Sequence, residues 1–157
     1  MTVLLKVMSD IRAVKVRVFA HEGEDVLDGL FRLFPFSLDD EKILVKRKEA
    51  RGFEEKRITI YEVALEKKRH IEAFLEYLLN NLTSAQRDLL LKQADSRLDE
   101  KLVFYVRLDK KAWQQGQFKL TDKGDCFHLS FFVTTYPRNR AKALAVIENI
   151  FKPQLEH

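Results

Sequence analysis

Cationic and aromatic side chains alternate with apolar side chains along three segments of this chain. In the first segment, Lys15, Arg17 and Phe19 alternate with valines. Successive strand residues point to opposite faces of a sheet, so each segment predicts a strand with one buried face. Cations bind phosphates and flat rings stack on bases, so the other face has the chemistry of a nucleic-acid-binding surface. The corresponding residues of the two later segments are Tyr105 and Arg107, and then His128, Phe132 and Tyr136.

Further basic residues fall on predicted strands, turns and helix starts, where cations are well placed to reach phosphate oxygens. Most of these clusters have acidic neighbours such as Glu49 and Glu54. An ordinary solvated surface is therefore the alternative interpretation of any single cluster. Taken together, the clusters and the rings predict the following nucleic-acid-binding residues: Lys15, Arg17, Lys46, Lys48, Tyr105, Arg107, Lys110, Lys111, His128, Phe132, Tyr136, Arg138 and Arg140.

The outward aromatic residues have a second interpretation. An exposed aromatic sheet face is often a protein interface, so the N-terminal segment, a loop or a second subunit could cover these rings. For Phe132 we weigh stacking on RNA and burial by a partner equally, and for Phe19 we favour burial. The alternative function of the same face is thus homodimerisation or another protein contact.

The sequence lacks the patterns of a catalytic or metal-binding site. Cys126 and His128 share a strand face, but no second cysteine pair or histidine-rich segment completes four zinc ligands. Neighbouring strand positions also rarely give a cysteine and a histidine the facing geometry of a nucleophile pair. No glycine-rich phosphate loop, nucleophile-elbow motif or zinc-protease motif is present. We therefore expect no catalytic residue, no metal and no cofactor.

Composition sets the class of protein. The chain has 157 residues, of which 46% are hydrophobic and 33% charged, as is typical of one globular domain. The formal net charge of +4 is mild, so local clusters matter more than the total.

A single cysteine excludes a disulfide framework, and no apolar run approaches the roughly 20 residues that cross a bilayer. The chain also begins without a recognisable targeting signal. We expect a cytoplasmic protein without membrane contact, with one domain at 1–154 and an expression-tag remnant at 155–157.

Apolar spacing predicts the remaining elements. A capping box formed by Thr83 and Gln86 predicts a helix start directly after another helix, and hence a helical hairpin in the middle of the chain. The predicted helices are 24–34, 67–81, 83–94 and 138–151, with a turn or short helix at 110–115. The predicted strands are 12–20, two within 41–65 around a turn near Gly52, 102–108 and 126–135, with a small strand around Phe118 and Leu120. This order predicts an α+β fold in which helices pack on one face of a largely antiparallel sheet.

Several short motifs resemble those of a known family. They are Phe19-Ala20-His21, Glu24-Asp25, Phe34-Pro35, the run from Tyr105 to Lys110 with Gly116 beyond it, and Tyr136-Pro137. The chain resembles an archaeal family of predicted RNA-binding proteins or predicted exosome subunits. Its members often have a glycine-asparagine-proline turn, whereas Gly52 is followed here by Phe53-Glu54-Glu55. We therefore do not assign that family's loop role to this turn.

The resemblance implies a ribosomal-protein-like fold, because the family is similar in fold to a large-subunit ribosomal protein that contacts ribosomal RNA. It also implies RNA as the partner and supplies no functional residues to transfer. We therefore expect a non-catalytic RNA-binding protein, associated with RNA processing or the exosome.

Overall fold

The computed structural model describes residues 3–52, 54 and 56–152, without the side chains of residues 3–5. The predicted tag remnant at 155–157 lies outside the described residues. So do Phe53 and Glu55 of the loop that departs from the family pattern.

Five strands form one open antiparallel sheet, and the predicted α+β class is confirmed. The strands are β1 (Ile11–His21), β2 (Val45–Arg51), β3 (Arg57–Leu65), β4 (Val103–Asp109) and β5 (Cys126–Val133). Their order across the sheet is β2-β3-β1-β5-β4. The small strand predicted around Phe118 and Leu120 is reduced to one antiparallel bridge between Leu108 and Leu120.

Seven helices lie within the described part of the chain, and none is long and apolar enough to cross a membrane. They are α1 (Val3–Met8), α2 (Leu27–Arg32), α3 (Lys68–Asn81), α4 (Ser84–Lys92), α5 (Ala94–Arg97), α6 (Lys110–Gln114) and α7 (Arg140–Phe151). Helix α1 was not predicted, because its six residues are too few to show a helical period. Helix α2 begins later than predicted, because Asp25 accepts a hydrogen bond from the Leu27 amide and therefore precedes the helix.

The predicted capping box is confirmed at the start of α4. Thr83 Oγ1 accepts a hydrogen bond from the Gln86 amide at 3.1 Å, and Gln86 Oε1 accepts one from the Thr83 amide at 2.9 Å. Two of the amides that a helix start leaves without partners are thereby satisfied. Only Leu82 and Thr83 separate α3 from α4.

The chain divides into two compact units. Unit 1 comprises Met1–Val14, Glu66–Tyr105 and Ser130–His157, and unit 2 comprises Lys15–Leu65 and Val106–Leu129. The single domain expected at 1–154 stays a prediction.

Aromatic rings build the core of unit 1. Phe131 of β5 contacts Phe74 of α3 and Phe151 of α7, with ring centroids 6.3 and 6.2 Å apart. Phe104 of β4 lies 5.5 Å from Phe151. All four rings are at most 1% exposed, so α3 and α7 bury the apolar face of these strand segments.

Trp113 and Phe127 lie in the core of unit 2. Trp113 Nε1 donates a hydrogen bond to the Gly29 carbonyl at 2.7 Å, which joins α6 to α2. Gly29 also lies so close to Phe127 that an added Cβ would stand 3.0 Å from the ring. Helix α2 therefore packs against the buried face of β5, and the glycine permits the close approach.

Candidate nucleic-acid interface

Strand pairing in unit 2 brings several of the predicted cations to one sheet face. Lys46 of β2 pairs with Glu62 of β3, and Lys48 pairs with Ile60, so these residues share a face. Arg17 of β1 donates hydrogen bonds to Glu62 Oε2 from Nε at 3.1 Å and from Nη2 at 2.8 Å. Arg17 therefore lies on the same face as Lys46 and Lys48.

The first strand keeps the predicted alternation from Lys15 onward. Val16 and Val18 are at most 1% exposed, whereas Lys15 is half-buried and Arg17 is exposed. Phe19 is 45% exposed within the described part of the chain, and its burial by a second subunit stays a prediction. The outward side of β1 thus presents two cations and a ring.

Strands β4 and β5 add Arg107 and His128 to this face. Burial, followed by the charges of Arg107 and Arg17, lowers the pKa of His128 below its ordinary value. The imidazole therefore lies within electrostatic reach of both guanidinium groups and is neutral at pH 7. We call this surface of unit 2 the basic face; its residues are Lys15, Arg17, Lys46, Lys48, Arg107 and His128, with Phe19 beside them.

The cations of the basic face differ in their partners. Arg17 forms an ion pair with Glu62. The side chains of Arg107, Lys46 and Lys48 make no hydrogen bond or ion pair with any residue that the structure describes. Their donors are therefore available to an external anion.

The structure also places Lys119, which was not among the predicted residues, on the side of Arg107. The Asp109 amide donates to the Lys119 carbonyl at 2.8 Å, beside the bridge between Leu108 and Leu120. Because extended residues alternate, exposed Lys119 points to the side of Arg107 rather than to the buried side of Leu108. The alternating apolar residues Phe118 and Leu120 were the available signal.

Lys110, which we predicted as a nucleic-acid-binding residue, is not a surface cation. Its side chain is 1% exposed, and its Nζ donates hydrogen bonds to the Phe19 carbonyl at 2.5 Å and to Glu24 Oε1 at 3.1 Å. Asp125 Oδ1 lies 3.5 Å away. Folding thus uses this ammonium to join β1 to the start of α6, and we leave Lys110 out of the basic face. The neighbouring Lys111 is exposed, and its RNA-binding role stays a prediction.

Tyr105 and Phe132 lie in unit 1, half-buried, and both have intramolecular contacts. The Tyr105 hydroxyl donates to Asp99 Oδ2 at 2.8 Å. The Arg12 guanidinium stands over the Phe132 ring, 5.1 Å from its centroid, as in a cation–π contact. Their predicted stacking on bases stays a prediction.

Asp99 organises the turn before β4. Burial of Asp99 raises its pKa, but hydrogen bonds from the Val103 amide, the Tyr105 hydroxyl and the Lys101 amide outweigh burial and lower the pKa. The carboxylate is therefore ionised at neutral pH and fixes the chain that leads into β4.

The residues predicted around the start of α7 have different surroundings. Tyr136 is 88% exposed. Arg138 Nη2 donates to the Glu100 carbonyl at 2.6 Å, and Arg140 forms an ion pair with Asp95 at 3.0 Å. Arg140 is thus occupied within the protein, whereas Tyr136 presents its ring to solvent.

A pocket of about 220 Å³ opens beside Tyr136 in unit 1. We call it the Tyr136 pocket; its polar lining consists of Arg12, Lys101, Thr134, Thr135, Tyr136 and Arg138. Arg12 was not predicted as a binding residue, because strict alternation would place it on the buried side with Val14. Ala13 and Val14 are both buried instead, and Arg12 is exposed.

The described residues contain no cluster of three or more potential metal ligands. Burial raises the pKa of the Cys126 thiol, and the charges of Arg107 and Lys110 oppose this only in part. The thiol is therefore protonated at neutral pH and is not an activated nucleophile.

Comparison with known proteins links the chain to RNA-binding proteins in two ways. A family model described as RNA binding matches residues 13–133. A curated RNA-binding protein of Pyrococcus abyssi is 27% identical over 137 residues, which cover 85% of this chain and 89% of that protein.

Solved structures of archaeal proteins are also similar. A protein from Archaeoglobus fulgidus superposes with a TM-score of 0.80 at 29% identity, covering 89% of this chain and 99% of that one. A DUF54 protein from Methanothermobacter thermautotrophicus superposes with a TM-score of 0.73 at 25% identity, covering 90% and 98%. The match of the family model over most of the chain shows that this protein belongs to the RNA-binding family.

Proposed function

We propose that this protein binds RNA without catalysing a reaction, and that its basic face contacts the RNA phosphates. The observation that carries the proposal is the convergence of Arg17, Lys46, Lys48 and Arg107 from three strands onto one sheet face in unit 2. Membership of the RNA-binding family and the name of the Pyrococcus relative support RNA as the ligand.

The chemistry of the basic face suits an unpaired or single-stranded segment. Its cations can track the phosphate backbone, and Phe19, 45% exposed, offers a ring on which a base can stack. A stacked base contributes about 1–3 kcal/mol, so a few rings can outweigh the weak attraction of a small net charge. The relatively low total charge of +4 makes this local arrangement more important than long-range steering.

The test is the double variant Lys48→Ala with Arg107→Ala, whose side chains have no partner among the described residues. We expect affinity for a fluorescein-labelled single-stranded RNA to fall about tenfold, because two phosphate contacts are lost. The slope of log affinity against log salt should decrease in magnitude by about 1.4. Fluorescence anisotropy at several salt concentrations measures both quantities.

The matched control is Arg51→Ala with Arg57→Ala. These two arginines pair across β2 and β3. Arg51 is an odd number of residues from Lys48 along β2, so the pair lies on the opposite side of the sheet from Lys48. Both double variants remove two positive charges. Equal losses in the two variants, or unchanged affinity in the first, would contradict the proposed role of the basic face.

A second function remains for the same surface. The exposed ring of Phe19 next to Arg17 also suits a protein interface, either a homodimer or a docking surface on a larger assembly. The resemblance to predicted exosome subunits supports an RNA-processing complex as that assembly. These partners, a ribosomal-protein-like fold and a cytoplasmic location stay predictions.

A further inference from the structure

The Tyr136 pocket is lined by three cationic residues, and the carboxylate of Asp99, which interacts electrostatically with Lys101, lies outside the lining. Arg12, Lys101 and Arg138 line it, and no described lining residue is acidic. Like charges around one small volume repel each other, so an anion placed between them is stabilised by all three. The pocket is therefore electrostatically suited to phosphate.

The three cations keep hydrogen-bond donors for a ligand. The Arg12 guanidinium contacts the Phe132 ring and makes no hydrogen bond with a described residue. Arg138 uses Nη2 for the Glu100 carbonyl and has further N–H groups. The Lys101 ammonium has no hydrogen-bond partner in the described part of the chain. Guanidinium forks match phosphate geometry, so two arginines and one lysine can hold a phosphate group.

The other lining groups distinguish this pocket from a simple cationic patch. Leu102 and Val133, which are 4% and 5% exposed, supply the apolar part of the lining. Thr134 has a hydroxyl without a hydrogen-bond partner among the described residues, and the ring of Tyr136 is 88% exposed at the rim. A sugar hydroxyl and a base could therefore each find a matching group.

We propose that the Tyr136 pocket holds one nucleotide, with its phosphate against Arg12, Lys101 and Arg138 and its base on the Tyr136 ring. The volume of about 220 Å³ lies below the roughly 300 Å³ at which pockets for drug-sized ligands begin. It accommodates a phosphate and sugar, with the base over the rim. This inference rests on the proposed RNA-binding function in one respect, because that function makes bound RNA the source of the nucleotide.

The first arm of the test does not require RNA. Adenosine monophosphate is titrated into the ¹⁵N-labelled full chain, and the amide resonances of Lys101, Leu102, Thr134 and Thr135 are followed by NMR. We expect these amides to shift together and saturably, and at lower nucleotide concentration than the amides of Lys46 and Lys48 on the basic face. Inorganic phosphate should shift the same amides with an affinity at least about fivefold weaker, because it lacks a base to stack.

The second arm uses variants of exposed residues. Tyr136→Ala should weaken binding of adenosine monophosphate at least about fivefold, and Tyr136→Phe should retain it because the ring remains. Lys101→Ala should weaken binding, whereas Lys92→Ala, which removes an exposed cation from α4, should not. The same four variants are then measured with labelled single-stranded RNA.

Each outcome decides the proposal. If Tyr136→Ala loses affinity for both adenosine monophosphate and RNA, the pocket binds a nucleotide that is part of the RNA. If it loses affinity for adenosine monophosphate alone, the pocket binds a free nucleotide. No shift of the pocket amides, or equal affinity for phosphate and adenosine monophosphate, overturns the proposal. If the basic-face variant binds RNA normally while the pocket amides shift, the proposed function fails and the nucleotide pocket stands.

Discussion

Arg107 and Lys110 show that the surroundings of a cation decide whether it is available to a ligand. Arg107 lies on an outward position of β4, and its side chain makes no hydrogen bond to a described residue, whereas Lys110, three residues later, is 1% exposed among carboxylates. Glu24 and Asp125, far from Lys110 in sequence, supply its compensating charge. Burial of an ammonium is costly without such partners, so its position is fixed by folding and not by a ligand.

His128 gives a prediction at the scale of one residue. Burial and the charges of Arg107 and Arg17 lower its pKa in the free protein. Bound phosphates would offset those charges and raise the pKa, so binding takes up a proton. RNA affinity should therefore increase as the pH falls below about 6.5, by up to about tenfold per unit of pKa difference. Anisotropy titrations between about pH 5 and pH 8 measure the effect.

The variants His128→Gln and His21→Gln make this assignment specific. The first should flatten the pH dependence, whereas the second should retain the part of it that His128 contributes. A pH profile that is identical in His128→Gln and the unmodified protein would show that His128 does not titrate on binding.

At the scale of elements, the start of α4 depends on its two capping hydrogen bonds. Thr83→Ala removes the side-chain acceptor for the Gln86 amide. We expect the free energy of unfolding to fall by about 1 kcal/mol, as is usual for loss of such a cap. Thr83→Ser retains the oxygen and should keep most of the stability. Urea denaturation compares the variants, and equal midpoints for Ala and Thr would contradict a stabilising role for the cap.

At the scale of the molecule, like charges argue against self-association through the basic face. A two-fold interface sets a patch against its own copy, which would bring Arg17, Lys46, Lys48 and Arg107 towards the same residues of a partner. Such juxtaposition is unfavourable, particularly at low salt.

We therefore predict a monomer of 18.5 kDa in multi-angle light scattering at high protein and low salt concentration. A dimer under these conditions that Phe19→Ser dissociates would favour the interface alternative over an open RNA-binding face. Phe31→Ser is the matched control, because Phe31 is similarly exposed, at 47%, on helix α2.

Much of the framework could be predicted from local patterns. Alternation placed Lys15, Arg17 and Arg107 on outward positions, and the Thr83 and Gln86 spacing located the start of α4 correctly. The Tyr136 pocket could not be predicted, because Arg12, Lys101 and Thr134 belong to distant segments and Arg12 departs from strict alternation. The ion pair between Arg140 and Asp95 could not be predicted either, because it depends on the packing of α7 against α5.

The sequence by itself determined the five strands, the longer helices and the outward positions of Lys15, Arg17 and Arg107, because these depend on periodicities of two and 3.6 residues. The tertiary structure alone decided which cations remain available to a ligand. Lys110 is neutralised by Glu24 and Asp125, whereas Lys48 and Arg107 have no such partner among the described residues. The physical reason is that a charge acts according to the groups within a few ångströms of it, and folding brings those groups from distant parts of the chain.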